Sequence, residues 1–529
     1  MTDNLRVQQL IDWLFDFSNN RINYRLMDER RSIPPHVILE FGNHGIFGLQ
    51  VPKDYDGQGF SNSEALDIYA YLGMMNVTLA AFIGQNNSLG IRPIVDFGSE
   101  QQKSRYLADL ATGRKLASYA LTEPHAGSFP NNMRGCIKTN TSQQYVLQAE
   151  KIYIGNIGWS SVVAVFTKHI TANGKPGGFT ACLLDTDKKG IKIGPEHLTM
   201  GLKSAIQNRV LFDQVQVQEE EILGQVGQSY KISHQAMQMS RMVIGAISVG
   251  AMKRCLFLMN RYANRRRIAT GTMAAHPEIR YQLSEAMHKI RTIDCMVKFL
   301  GQRLDQGIST ADEVFMIIKI MGSEFLWQTV DRALQILGGR GYMENNVISS
   351  FLRDARVLRI FEGPTETLHY FIGYLFPQKK LLQFLIKDVN NEALANRLRA
   401  THEELKDRSK QLTNLTKTEQ TALLHSRMGM ILSWACVVGI LQYESQKTAS
   451  SNLRSTLAWA NYQLEQTIAV GMSQDYASTL IPQNAFDNSL AAFDRIDLEQ
   501  KLEDEIWQID PYLANAFDKN AAHLLLQNT

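Results

Sequence analysis

Cysteine is scarce in this chain, and what there is stands alone. The five cysteines among 529 residues (Cys136, Cys182, Cys255, Cys295, Cys436) form neither a CxxC pair nor a Cys/His ligand spacing. The odd count and wide scatter argue against a disulfide framework and a zinc site. No metal is expected, and the thiols point to a reducing cytoplasm. Charge of one sign is also missing: the formal net charge is +3 and the longest basic run is Arg265–Arg267, which argues against a dedicated nucleic-acid binder. The N-terminus, MTDNLRVQQLIDWLFDFSNN, lacks the charged-then-apolar order of a secretory leader and reads as an amphipathic helix. The most apolar stretch, Met428–Tyr443, contains Ser433 and Gln442. It is short for a membrane span, so a buried helix is the favoured reading and interfacial membrane contact the alternative. No internal repeat or low-complexity tract is found.

What is present is an ordinary globular composition, 44% hydrophobic and 20% charged, in a chain long enough for about two to four domains. The periodicity divides it. Residues 1–116 are mainly helical, interrupted by the loop Phe41–Phe60, which is rich in Gly, Pro and Asp. Ser63–Leu72 and Ser99–Leu110 have helical spacing, the second with a Ser cap and an acidic first turn. Over 117–226 the period shortens. Tyr145–Ile154, Val162–Ile170, Phe179–Asp185, Gly190–Gly194 and Arg209–Val217 are β-branched or aromatic runs, separated by Asn173-Gly174 and Pro176-Gly177-Gly178. Over 227–378 long helical segments return, at about 229–266, 279–306 and 311–337, and 379–529 reads as an additional helical domain. The fold class is α+β.

The chemistry concentrates in two places. Asp331–Thr367 reads DRALQILGGRGYMENNVISSFLRDARVLRIFEGPTET. Within it Glu362 stands between an apolar run (Val357, Leu358, Ile360, Phe361) and Gly363. Apolar surroundings raise a carboxylate toward the pH at which it can take a weakly acidic proton, so Glu362 is a candidate general base; an exposed Glu in a turn is the alternative. The second place is Leu121–Ser128, LTEPHAGS, where a Gly-containing turn lets backbone N–H groups approach an anion or a ring.

Both stretches resemble signatures of the acyl-CoA dehydrogenase family. A-L-Q-x-L-G-G-x-G-Y, R-D-x-R and E-G-T fall in the first and L-T-E-P-x-A-G-S-D in the second, in the family's order, and the likeness covers roughly 5–375. It implies the family's three-part fold: a helical N-terminal domain, a middle β-domain and a C-terminal helical bundle. It also implies FAD as cofactor and α,β-desaturation of an acyl thioester, in which a carboxylate removes the α-proton while a β-hydride passes to flavin N5. The thioester α-proton is weakly acidic, so the carbonyl oxygen needs hydrogen-bond donors fixed in advance.

By this resemblance Glu362 is the base. The family's alternative base position, beside an Arg on the helix after the β-domain, holds Ser240 next to Arg241. Ser128, Arg241 and Gly363 would meet substrate, Arg241 near the CoA portion; a structural salt bridge is its other reading. Tyr119, Leu121, Thr122, Gly127 and Ser128 would line the flavin, with Tyr153, Ile154 and Gly155 at the family's W-I-T. Arg266, with Tyr262, would meet the flavin pyrophosphate across a subunit interface, or else belong to a solvated basic cluster. Gln335, Gly338 and Gly339 would close over a neighbouring subunit's dinucleotide. Arg353, Asp354 and Arg356 read as structural ion-pair residues. Implied partners are an acyl-CoA or an acyl-carrier protein, an electron-transfer flavoprotein as acceptor, and a second copy in a homodimer.

Several positions depart from the pattern. Phe129 replaces Asp, Tyr153 replaces Trp and Gly155 replaces a hydroxyl residue near N5. Ile268-Ala269-Thr270 lacks Phe-Gly, Pro277 stands at a Gln position, and Pro364 replaces the Thr of E-G-T. They keep open two other readings: a carrier-protein-linked dehydrogenase of a biosynthetic pathway, and a non-catalytic scaffold without flavin. A flavin monooxygenase is disfavoured because Glu362 is present.

Overall fold

Capping residues fix where the first helices begin. In the computed structural model, which describes residues 2–140, 144–448, 450–473, 480, 481 and 485, Ser61 and Ser99 each close a capping box, with Glu64 and Gln102 respectively. Each box satisfies two otherwise orphaned N–H groups. The N-terminal helices are α1 (Thr2–Arg21), α2 (Tyr24–Arg30), α3 (Pro35–Asn43), α4 (Asn62–Met75), α5 (Val77–Gly84), α6 (Arg92–Phe97) and α7 (Glu100–Ala111). A π-helical turn, Gln85–Ile91, joins α5 to α6. The Gly-rich stretch after α3 is a series of turns with one 3-10 turn, Lys53–Tyr55.

The sheet uses β1 (Ala117–Ala120), β2 (Cys136–Thr139), β3 (Tyr145–Gly155), β4 (Val162–Ile170), β5 (Pro176–Asp185), β6 (Ile191–Glu196), β7 (Gln207–Val217) and β8 (Ile222–Leu223). Its order is β6-β7-β3-β2-β4-β5-β8, and β1 runs parallel to β4 on the side. The alternation of the sequence predicts β3 to β7. The short β1, β2 and β8 carry too few residues to show a period. Pro176-Gly177-Gly178, read as a separator, instead opens β5; proline is tolerated as the first residue of a strand, where no ladder N–H is required of it. The β3–β7 register slips between Lys151 and Ile154, and within the slip Tyr153 takes φ 56°. A bulge of this kind re-aims a side chain, and Tyr153 points outward, 56% exposed.

After the sheet come α8 (Tyr230–Arg265), α9 (Pro277–Asp305), α10 (Asp312–Leu337), α11 (Gly339–Tyr342), α12 (Val347–Leu358) and α13 (Thr365–Leu375). The additional region contributes α14 (Lys380–Lys387), α15 (Glu392–Lys410), α16 (Lys417–Lys447) and α17 (Ser451–Met472); the part of 379–529 beyond residue 485 lies outside the described residues. By length and composition α8 and α16 could cross a membrane, but 72% of the apolar window of each is buried inside the protein. The stretch 428–443 lies in α16, where Met428, Ile431, Leu432, Ala435 and Ile440 are buried. One apolar core runs without a break from Val7 in α1 to Leu464 in α17, so the helices at both ends share it.

Helix α16 crosses α13 at two glycines. A Cβ on Gly429 would stand 1.8 Å from the His369 carbonyl oxygen, and one on Gly373 would stand 1.9 Å from that of His425. No side chain fits there. Gly429→Val is expected to cost about 2–3 kcal/mol by overpacking, read as a lower thermal midpoint. An unchanged midpoint would mean the helices do not touch.

Candidate active site

Helix α12 ends at Leu358 and α13 begins at Thr365, so the chain reverses over Arg359–Pro364. Two consecutive residues of that reversal lie in left-handed space, Glu362 at φ 57° and Gly363 at φ 101°. For a glutamate this conformation is unfavourable and persists only when its surroundings dictate it. Here they do. Arg241 donates from Nε and Nη2 to the Glu362 carbonyl, at 3.3 and 3.2 Å. Lys319 Nζ donates to the Gly363 carbonyl. Arg359 and Thr365, at the two ends of the turn, both donate to Glu324 Oε1, at 2.7 and 2.6 Å.

The carboxylate itself is left largely uncommitted. The Ser240 hydroxyl donates to Oε1, whereas Oε2 is buried and has no hydrogen-bond partner among the described residues. Burial pushes the Glu362 carboxyl up to about 7, opposed by the Ser240 hydrogen bond and by the charges of Arg241 and Lys319. A carboxylate with one free oxygen and a titration near neutrality is suited to accept a proton from a weak carbon acid. Arg241 is turned onto the backbone of Glu362 and forms no salt bridge with its carboxylate among the described contacts.

The sheet supplies the facing wall. The Tyr119 hydroxyl is 2.6 Å from Ser233 Oγ on α8, and its ring packs on Phe166 at 4.6 Å. Burial and the nearby Glu362 charge raise the Tyr119 phenol, and both the wall, through Ser233, and the base turn, through Ser240, are tied to α8. Leu121 and Thr122 are tied beside β3: Ile152 N–H donates to the Thr122 carbonyl at 3.0 Å. A fully buried Lys151 donates to the Leu121 carbonyl, Glu123 Oε1 and the Phe166 carbonyl at 2.9, 2.9 and 2.7 Å. Glu123 in turn accepts from the backbone N–H of Arg134 and Gly135. Gly127 and Ser128 are exposed beyond this anchor. Tyr153 lies over His197 at 5.1 Å, and Ile154 is buried. At Gly155 a Cβ would fall 2.1 Å from Gln85 Oε1, an oxygen that is itself buried and without a hydrogen-bond partner among the described residues.

The remaining candidates gather elsewhere. Arg266, Gln335, Gly338 and Gly339 are exposed, and Arg340 reaches the Tyr262 hydroxyl at 3.5 Å, so the end of α8 and the end of α10 are neighbours. Arg241 and Arg266 are separated along α8 by about 37 Å, at 1.5 Å per residue. One chain therefore does not bring Arg266 to Glu362. Arg353 pairs with Asp28 through two hydrogen bonds, Asp354 is buried against Thr78 Oγ1 and the Leu202 N–H, and Arg356 lies over Trp327.

Sequence reasoning passed over Lys151, Lys319 and Gln85. The two lysines sit in runs that are otherwise apolar on the buried face, which is the one available signal. Gln85 opens the polar run Gln85-Asn86-Asn87-Ser88 directly after the apolar α5. In the sequence Ser240 marks only a position without a carboxylate; its contact with Glu362 spans 122 residues.

Comparison with known proteins gives a consistent picture. Three family models match in chain order: the acyl-CoA dehydrogenase N-terminal domain over residues 6–114, the middle domain over 118–215 and the C-terminal domain over 230–373. The very long-chain specific acyl-CoA dehydrogenase of Macaca fascicularis mitochondria is 31% identical over 334 residues, 62% of this chain and 51% of the relative. The chain thus spans about half the length of the first curated relatives it matches. Among solved structures, butyryl-CoA dehydrogenase from Megasphaera elsdenii superposes with a TM-score of 0.65 at 25% identity, covering 69% of this chain and 96% of that one. An acyl-CoA dehydrogenase complexed with FAD from Bacillus anthracis reaches 0.73 at 23% identity, covering 94% and 91%. That likeness extends the shared fold into the helices after residue 378.

Proposed function

The chain belongs to the acyl-CoA dehydrogenase family, and from that premise we propose that it desaturates an acyl thioester with FAD as cofactor and Glu362 as the base. The observation that carries this reading is the Glu362 turn: a strained, buried carboxylate gripped through its backbone carbonyl while Oε2 stays free. Glu362 takes the substrate α-proton on Oε2. Its own N–H, fixed by the turn, donates to the thioester carbonyl and so stabilises the enolate-like charge as it develops. Ser240 holds Oε1 and limits the carboxylate to one orientation.

The residues of the sheet wall fit a flavin. The Gln85 Oε1 beside Gly155, without a partner among the described residues, can accept from a ring N–H, and Tyr153 stands 56% exposed beside His197. Tyr119, Leu121, Thr122, Gly127, Ser128 and Ile154 complete that wall. When bound, FAD supplies the hydride acceptor for the β-carbon. Arg266 lies too far along α8 to serve the same chain's Glu362, and Gln335, Gly338 and Gly339 lie beside it at the end of α10, which supports their acting together on the dinucleotide of a second copy; a homodimer is the assembly proposed. An electron-transfer flavoprotein is the proposed acceptor. The five free cysteines fit a cytoplasmic setting.

The test is the absorption spectrum of the purified protein, before and during anaerobic addition of an acyl-CoA panel. Flavin bands that bleach with one chain length would identify both reaction and substrate. Bands that bleach only with an acyl-carrier protein would move the substrate to that carrier. A protein that takes up no flavin on reconstitution would overturn the reading in favour of a scaffold.

A further inference from the structure

Lys319 is the most unusual charged residue near the base. It lies on α10 with no solvent exposure, and its hydrogen bond goes to the Gly363 carbonyl. A buried ammonium is costly, and replacing such a group by a hydrophobic residue of like volume is often neutral or stabilising. One carbonyl contact is a poor return for that cost, so packing alone does not account for a lysine here.

The surroundings give it a use. Glu362 is faced by Ser240 and Arg241 from α8, by Tyr119 from β1 and by Lys319 from α10. Lys319 is faced in turn by Glu362, Arg241, Glu324 and Glu366. Arg241 and Lys319 grip successive carbonyls of the turn, at 362 and 363, and neither donates to the carboxylate among the described hydrogen bonds. The two cations thus lie close enough to favour the negative form of Glu362 without occupying the oxygen that must receive the proton. Burial lowers Lys319 to about 8, with Glu362 acting against that shift.

We infer that Lys319 is a positioning residue for the base: its buried ammonium pins the Gly363 carbonyl and keeps the neighbouring Glu362 carboxylate ionised and ready to accept a proton. This rests on the reading of Glu362 as the base.

Two variants separate charge from tether. Lys319→Met removes both, and Lys319→Gln keeps a donor for the Gly363 carbonyl without the charge. The first readout is independent of turnover: the pH titration of the Glu362 carboxyl band in infrared difference spectra, identified by its loss in Glu362→Gln. Both variants are expected to raise its midpoint by about one pH unit, the low end for loss of a nearby opposite charge. The second readout is the rising limb of the pH profile for flavin bleaching by acyl-CoA, which should move by the same amount. Unmoved midpoints in both variants would reduce Lys319 to a structural tether and overturn the inference, as would a shift in Lys319→Met alone. A wild-type protein whose Glu362 titrates but which bleaches with no acyl thioester would instead overturn the assigned reaction and leave the pairing standing.

Discussion

Glu362→Gln is expected to retain FAD and bind acyl-CoA while losing desaturation by about 10⁴-fold, the upper range for a positioned general base. The amide is isosteric with the carboxyl, so the Ser240 hydroxyl keeps an acceptor and Arg241 keeps its backbone carbonyl. What disappears is the oxygen that takes the proton. The sign of the pH dependence follows from the raised titration of Glu362 to about 7. The base works only when ionised, so wild-type bleaching rates should rise through that pH and fall below it, whereas the residual rate of the amide variant should lack this limb. Stopped-flow bleaching of the flavin measures both. A variant that bleaches at the wild-type rate would remove Glu362 from the chemistry.

Lys151→Met should be the most damaging change away from the base. Lys151 and Glu123 are 0% and 4% exposed and lie 2.9 Å apart. Removing one partner strands a buried charge at a cost of about 3–5 kcal/mol. It also releases the Leu121 carbonyl and the Phe166 carbonyl, so the turn that presents Thr122 to Ser128 loses its anchor. A lower thermal midpoint and faster loss of flavin on dilution are expected together. Adding Glu123→Gln removes the stranded charge while keeping an acceptor for the N–H groups of Arg134 and Gly135, and should recover part of the stability. A double variant no more stable than Lys151→Met would show that the charge is not what matters.

How much of this was legible in the sequence depended on whether the determinant was local. Helices α8, α9 and α10 repeat their apolar period many times, and the period places their ends to within about two residues, the usual uncertainty of a helix boundary. The strands β3 to β7 alternate over enough residues to be seen. The short β1 and β2 take their conformation from β4, their partner across the sheet, and nothing local marks them. The same divide runs through the site. Glu362 is visible because an apolar run and a glycine flank it. The contacts that shape it come from Ser240, Arg241 and Lys319, which reach it only after α8 and α10 have packed together. Gln85 meets Gly155 across the seam between α5 and β3, a juxtaposition no spacing rule encodes.

The glycine crossing of α13 and α16 has a consequence for how the protein is made. Helix α13 starts three residues after Glu362, and the surface it packs against ends at Lys447. During synthesis at about 5–20 residues per second, the interval between these two points is roughly 4–16 s. For that time the nascent chain holds every residue that touches the carboxylate, yet lacks the helix that packs against α13, the helix its turn leads into. The apolar flank of α13 is bare until α16 leaves the ribosome, and a ribosome stalled in this window exposes a sticky, unfinished core to chaperones and proteases.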